Sequence, residues 1–340
     1  MDTGTDFKNE GSQYEIEEIL QKETYGTDVN YKHKYLWPHV VVHSALQIGW
    51  LIGLYAAFFY AKTATIFWGF FIGFIAAEGT GLGAHRGASH KSFKASTPLR
   101  VALMLSQTIA GQNSTFTWAR DHILHHKYSD TDADPHNSNR GFFFAHMGWL
   151  MMKKHPLLRQ KQREMDVSDL LQDKILMFQH KYFLYLYFPL AVFFPVMVPI
   201  YFWNETMWTS FFVVYCCQYV TNLHITWTIN SFAHLWGAKP YDKRIRATES
   251  LISSIVTLGE GWHNFHHAFP WDYRMGEKFS LSAKVLELLA YFGLAYDLKL
   301  ASPKIIQGHT TRHASKSDRQ ILAEEVVKIK RERKNAVHTT

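Results

Sequence analysis

Three clusters of histidine set the chemistry open to this chain. In His122-Ile123-Leu124-His125-His126 and in His263-Asn264-Phe265-His266-His267, imidazoles stand at relative positions 0, 3 and 4. On a helix these fall at roughly 0°, 300° and 40°, so each trio projects from one face. A looser pair, His85 and His90, lies in Ala84-His85-Arg86-Gly87-Ala88-Ser89-His90. A ninth candidate, His234, stands one helical turn after Asn230. Imidazole nitrogens suit Fe, Cu, Zn and Ni, and nine are too many for one ion. The pattern predicts a two-metal centre built from remote segments, with four or five ligands per ion and Asn230 near a bound water. Positions left to water let a metal bind and activate a small molecule. Spacing five puts His85 and His90 roughly 140° apart on an α-helix. The helix is therefore expected to fray there, which Gly87 would permit.

Four nearly uncharged runs must carry these clusters: residues 37–61, 65–84, 182–203 and 207–229. A helix needs about 20 residues to cross a bilayer, and each run is long enough. The links at Ala61-Lys62-Thr63 and Asn204-Glu205-Thr206 are short, so the runs pair as two antiparallel hairpins. All clusters and both termini then lie on one side. The hairpin tips carry little charge, whereas 85–181 and the end of the chain are rich in Lys and Arg, which places that side in the cytosol. The predicted fold class is an all-α integral membrane protein. Four transmembrane helices in two hairpins sit under a cytosolic helical cap, 85–181 and 230–300, that holds the dimetal centre. Pro189, Pro195 and Pro199 should kink the third run. Glu78, in the second, must face protein or water. The sequon at Asn204 abuts the membrane and is expected to be unused. A soluble all-α protein is the competing reading, but long runs with almost no charge are rare in such proteins.

Of the other histidines, His33, His39, His155, His180, His309, His313 and His338 are expected in solvent. His43 and His224, inside the runs, should be packed and hydrogen-bonded, while His136 and His146 could support the metal site. Adjacent Cys216 and Cys217 offer neither a disulfide framework nor zinc-ligand spacing, so histidine must hold any metal. Aromatic content of 16% suits interfacial belts and apolar tunnels. Net charge is +7, with Lys328, Lys330, Arg331, Arg333 and Lys334 crowded near the end. Residues 301–340 read as a basic cytosolic tail that meets lipid headgroups or simply stays solvated. Residues 1–36, acidic and without a cleavable signal, read as a flexible cytosolic arm. No nucleic-acid partner is expected.

The three clusters, together with Arg120-Asp121-His122, Asp132-Ala133-Asp134-Pro135-His136-Asn137, Arg140-Gly141-Phe142-Phe143-Phe144 and Gly148-Trp149-Leu150, resemble the membrane acyl-CoA desaturase family. The resemblance runs from about 37 to 300. It implies an endoplasmic-reticulum enzyme that places a cis double bond in a long-chain fatty acyl-CoA. It also implies two iron ions, O₂ as co-substrate, and electrons from cytochrome b5 and its NADH-linked reductase. Carried over, the family's ligands fall on His85, His90, His122, His125, His126, His234, His263, His266 and His267, with Asn230 acting through water. The acyl-CoA head would meet Asn113, Arg120, Asp121, Lys153 and Lys154. Lys153 and Lys154 suit phosphates as point charges and equally suit a juxtamembrane anchor. Gln112, Trp118 and Thr226 match positions at the bend of the acyl tunnel.

Three places depart from the family pattern: Gly87-Ala88 replaces Leu-Trp, Pro38-His39 replaces Arg-Asn, and Glu78 introduces a charge. Oxidising an unactivated methylene requires a redox metal with O₂, which excludes zinc as the working ion. A membrane hydroxylase would use similar clusters. A histidine-rich metal carrier without turnover would need polar residues along several spans, and only Glu78 qualifies. No His-Pro-Gly-Gly haem motif is present, so the electron donor should be a separate protein.

Overall fold

The structure, a computed structural model, describes residues 26–314. The apolar runs become helices whose large side chains point outward and whose small ones pack. Helix α1 is Trp37–Phe59, opened by Pro38 in its first turn. Helix α2 is Thr63–Glu78 and continues without a break into a π-wound stretch, Gly79–Ser89. Phe58, Phe70, Tyr185 and Phe202 are each at least 70% exposed, the pattern of a surface that meets lipid rather than water.

Helix α3 is Thr97–Ala110 and α4 is Thr115–Lys127, the latter capped by Ser114. Short helices α5 (Phe142–His146), α6 (Pro156–Glu164) and α7 (Ser168–Gln172) follow. Helix α8 runs from Lys174 to Trp203 with a π-wound middle, Phe188–Phe193. It starts earlier than the sequence predicts and breaks at Tyr182 (φ −108°, ψ 19°). Pro189 lies inside the π-wound turn, where its missing N–H leaves a place in the hydrogen-bond ladder. Helix α9 spans 207–235, again with a π-wound segment, Phe211–Cys217.

Among the described residues three helices, Trp37–Phe59, Thr63–Ser89 and Lys174–Trp203, are long and apolar enough to cross a membrane. Helix α9 is as long but is not among them. Its sequence interleaves Gln218, Thr221, Asn222, His224, Thr226, Thr228 and Asn230 with the apolar residues.

Glycines set how closely these helices approach. A Cβ on Gly53 of α1 would lie 2.2 Å from the Phe212 carbonyl oxygen of α9, and one on Gly79 of α2 2.2 Å from the Gln107 nitrogen of α3. The two hairpin tips are clasped together. Glu205 accepts from the Lys62 backbone N–H (2.9 Å) and Thr65 Oγ1 (2.6 Å), and Lys62 Nζ donates to the carbonyls of Trp203 and Asn204. Glu78 faces protein: Ser282 Oγ donates to it at 3.1 Å.

The remaining elements are α10 (Leu251–Val256), α11 (His263–Ala268), α12 (Leu281–Tyr291), α13 (Pro303–His313) and a two-residue antiparallel ladder, β1 (Lys94–Ala95) on β2 (Ala295–Tyr296). Two predicted boundaries need correction. Residues 26–36 do not form a free arm. Asp28 N–H donates to Asp132 (2.8 Å), Asn137 Nδ2 to Thr27 (2.8 Å), and Lys153 N–H to the Lys34 carbonyl (2.8 Å). Likewise 301–314 is not a free tail: Ala301 and Ile306 share an apolar cluster with Phe265 and Phe269.

These dockings also cover histidines expected in solvent. His39 and His180 are exposed, while His33, His155 and His309 are half-buried and hydrogen-bonded. His313 is buried, because α13 docks through its carbonyl on Lys243 N–H. The acidic start of the chain, the basic residues 328–334 and His338 lie outside the described residues.

Gly79→Ala should cost about 1–3 kcal/mol through overpacking and lower the melting temperature of the detergent-purified protein. Gly69→Ala, where a Cβ meets nothing within 4 Å, should leave it unchanged or higher.

Candidate metal centre

Four elements deliver the histidines, and each does so for a local reason. In the π-wound end of α2, the His90 N–H bonds to the His85 carbonyl at 3.1 Å. That i→i+5 link brings residues five apart back toward one face, so winding rather than fraying unites the pair. Helix α4 presents His122, His125 and His126 in its last turns, α9 presents His234, and α11 presents His263, His266 and His267.

The first and third clusters are tied through the residues beside them. Arg86, fully buried, makes a bidentate pair with Glu260 (2.7 and 2.8 Å) and donates to the carbonyls of Tyr273 and Gly81. Asn264, also fully buried, holds α11 to the preceding loop. It accepts from the N–H groups of Tyr241 and Asp242 and donates to the carbonyls of Asp242 and Ala247.

The nine imidazoles fall into two groups whose ligand nitrogens lie within 4.8 Å of one another: His85, His90, His122, His126 and His266, and His125, His234, His263 and His267. Neighbouring Nε2 atoms are 2.9–3.3 Å apart: His90–His122 2.9, His126–His266 2.9, His85–His266 3.0, His263–His267 3.0, His234–His263 3.1 and His125–His267 3.3 Å. Nitrogens about 2.1 Å from a shared ion would sit roughly 3.0–3.4 Å apart in right-angled to tetrahedral arrangements. The donor set therefore fits a metal in each group.

The 0, 3, 4 spacing explains the division. Positions i and i+4, roughly 40° apart, serve one group and i+3 the other. Thus α4 gives His122 and His126 to the five-membered group and His125 to the second. Helix α11 does the reverse, and stacked His126 and His267 rings, 4.1 Å apart, join the two.

Residues 63–297 match the family model described as Fatty acid desaturase. The chain belongs to that family. It is 43% identical over 310 residues to "Delta(9)-fatty-acid desaturase fat-7" of Caenorhabditis elegans, covering 89% of this chain and 90% of the relative. It is 44% identical over 286 residues to "Acyl-CoA Delta-9 desaturase" of Acheta domesticus (83% and 80% covered). To "Acyl-CoA Delta(11) desaturase" of Spodoptera littoralis it is 41% identical over 285 residues (83% and 84% covered). The chain is thus an enzyme, a desaturase.

Around the histidines the desaturase carries carboxylates that spacing alone does not reveal. His125 Nδ1 donates to Asp134 at 2.9 Å and His234 Nδ1 to Asp130 at 3.0 Å. Each carboxylate fixes its partner's tautomer and aims the Nε2 lone pair inward. Burial alone would raise both Asp carboxyls, but His125 beside Asp134, and His234 beside Asp130, bring them below the usual range. Desolvation by burial holds His122, His126, His263, His266 and His267 well below the usual imidazole value and His90 down to about 3, so neutral nitrogens face the centre. The signal for the carboxylates was the acidic run 130–134 directly after the second cluster, which resembles a solvated turn.

His136 also meets the site, with its ring 4.2 Å from His125, and burial pushes it down to about 3. His146 needs correction: it pairs with His224 Nδ1 (3.0 Å) and Ser231 Oγ (2.9 Å), because α5 packs on the side of α9 that bears those residues. His224 is packed and hydrogen-bonded as expected, its other nitrogen on Gln47. His43 packs edge-on to Trp227, and its Nδ1 is buried without a partner. Asn230 is half-buried one turn before His234.

The residues expected to meet substrate divide into two sets. Trp118 Nε1 donates to Gln112 Oε1 (3.2 Å), and Gln112 Nε2 donates to Thr226 Oγ1 (2.9 Å). Trp118 also stacks on His122, with centroids 4.8 Å apart, so this chain of three abuts the imidazoles. Asp121 gathers Arg120 (2.8 Å) and Lys154 (2.6 Å). Lys153 and Asn113 stay exposed, and the Asn113 carbonyl accepts from Gln107. Ala88 packs beside Phe116 and Ala119, while a Cβ on Gly87 would lie 3.0 Å from the Leu82 carbonyl oxygen.

Asp134→Asn should weaken metal retention roughly 10–100-fold, read as metal per chain during chelator titration. Acid should act in the same direction. His90 and His136 bind fewer protons folded than unfolded between about 3 and 6.5. Stability is therefore fully present above 6.5 and falls as pH drops below it. Metal content after dialysis at about pH 5 should be lower than at about pH 7.5.

Proposed function

We propose that this desaturase introduces a cis double bond into a long-chain fatty acyl-CoA, with a pair of irons as its metal, O₂ as co-substrate, and electrons from cytochrome b5 and its NADH-linked reductase. The observation that carries the reading is the division of nine imidazoles into groups of five and four at the inner end of an apolar helical body. Relatives named for acyl-CoA desaturation at positions 9 and 11 support the substrate class. Bound iron with O₂ would supply the oxidant that no side chain can.

The chain's own residues do the binding and positioning. Arg120, Lys153 and Lys154, with Asp121 and Asn113, would receive the phosphates and polar head of CoA. The Gln112–Trp118–Thr226 chain would fix where the acyl tail bends past His122. Indole and apolar walls exclude bulk water, and the distance from head to imidazoles selects the carbon. Asn230 would act through a water at the open side of the centre.

In this reading α9 is the fourth span. Several of its polar side chains bond within the helical body, as suits a span: Asn222 donates to the Gly73 carbonyl (2.9 Å), and Thr221 accepts from Trp50 Nε1 (3.0 Å). Both termini would be cytosolic and the membrane that of the endoplasmic reticulum.

In a desaturase-deficient yeast, the wild-type chain should restore unsaturated fatty acids, and His126→Ala should reduce product by about 100-fold or more. Trp118→Ala or Thr226→Val should change the double-bond position or the preferred chain length. Mass spectrometry showing oxygen added to the acyl chain, rather than two hydrogens lost, would instead identify a hydroxylase.

A further inference from the structure

Helix α10 has its polarity reversed. Its serines face inward: Ser253 and Ser254 are buried, and Ser253 Oγ donates to the Thr228 carbonyl of α9 at 3.3 Å. Its branched apolar residues face outward, with Leu251 64%, Ile252 56%, Ile255 64% and Val256 42% exposed. A helix on a water-facing cap would be expected to turn these four toward the core. Leu258, two residues further on, is also half-exposed and holds a left-handed backbone (φ 55°), where a water-facing turn would favour Gly or Asn.

The height of α10 gives this pattern a cause. Thr228 lies about 10 Å down α9 from its cytosolic end at Leu235. Above that contact, half-exposed Trp236 gathers Phe142 and Phe232, with centroids 5.8 and 5.2 Å away, an aromatic group of the sort found at membrane–water boundaries. The inward serines thus seat α10 on the membrane side of that boundary.

We propose that α10 is a monotopic anchor whose Leu and Ile face, with Leu258, lies among the acyl chains of the cytosolic leaflet. The proposal rests on the reading of α9 as the fourth span. It has a direct consequence for the metal site. Ser250 N–H bonds to the Gly261 carbonyl (2.9 Å), and Glu249 accepts from Phe265 N–H (2.9 Å). The lipid-held segment is therefore strapped to the loop that presents His263, His266 and His267, and the bilayer helps set their height.

The test uses the full chain with Cys216 and Cys217 replaced by Ala, reconstituted in phosphatidylcholine vesicles. A nitroxide is attached at Ile252→Cys or Ile255→Cys, surface positions on which no packing depends. Phe70→Cys on α2 and Phe211→Cys on α9 serve as the span controls and Lys304→Cys on α13 as the water control. Labels at 252 and 255 should relax with dissolved O₂ several-fold more than with a water-soluble nickel chelate, as at 70 and opposite to 304. If 252 and 255 follow 304 while 211 remains in lipid, the anchor is refuted and the reading of α9 as a span survives. Shielding of 252 and 255 from both reagents would mean that a protein or a second copy covers the face, which also refutes it. If position 211 follows 304, both readings fall.

Discussion

The architecture depends on one buried charge pair. Arg86 follows the first metal-facing histidine, and Glu260 stands three residues before the third cluster. Their bidentate contact joins a helix long and apolar enough to cross a membrane to a segment far along the chain. An isolated guanidinium with no exposed surface would be prohibitive. Here its donors are occupied by two carboxylate oxygens, two carbonyls and Ser280 Oγ. Removing one partner from such a pair typically costs about 3–5 kcal/mol. The pair thus acts as a register pin: Arg86 reaches these acceptors while the preceding residue, His85, stands 3.0 Å from His266.

Carboxylates extend the same logic outward. Asp130 and Asp134 emerge from the loop after α4, and that loop is held from outside by Arg140 on Asp132 and by the docked 26–36 segment. A chain of hydrogen bonds therefore runs from the surface, through acidic residues, to two of the imidazoles. Each link is polar and enclosed, so each must be satisfied for the next to keep its orientation.

Much of this was legible in the sequence. The helices could be placed because runs such as 37–61 carry almost no charge, and the ligand candidates because the 0, 3, 4 spacing has a single geometric meaning on a helix. Other parts were hidden for identifiable reasons. The convergence of His85 and His90 depends on π-winding, and periodicity arguments assume 3.6 residues per turn. Asp130 and Asp134 sit in a run of Ser, Asp and Thr that ordinarily marks a solvated turn. Residues 26–36 are polar and look free, yet they are held by hydrogen bonds to the loop at 130–140, partners that no local pattern announces. His146 lay next to a recognisable motif but turned to α9, a choice made by packing.

The crossed allotment of histidines also bears on how the enzyme matures. Helix α4 and helix α11 each give donors to both groups, so neither group can be completed by a contiguous part of the chain. During synthesis, the ribosome must pass residue 266 before either cage has its full set of nitrogens, and residue 267 before both do. A product truncated before residue 266 would complete neither group.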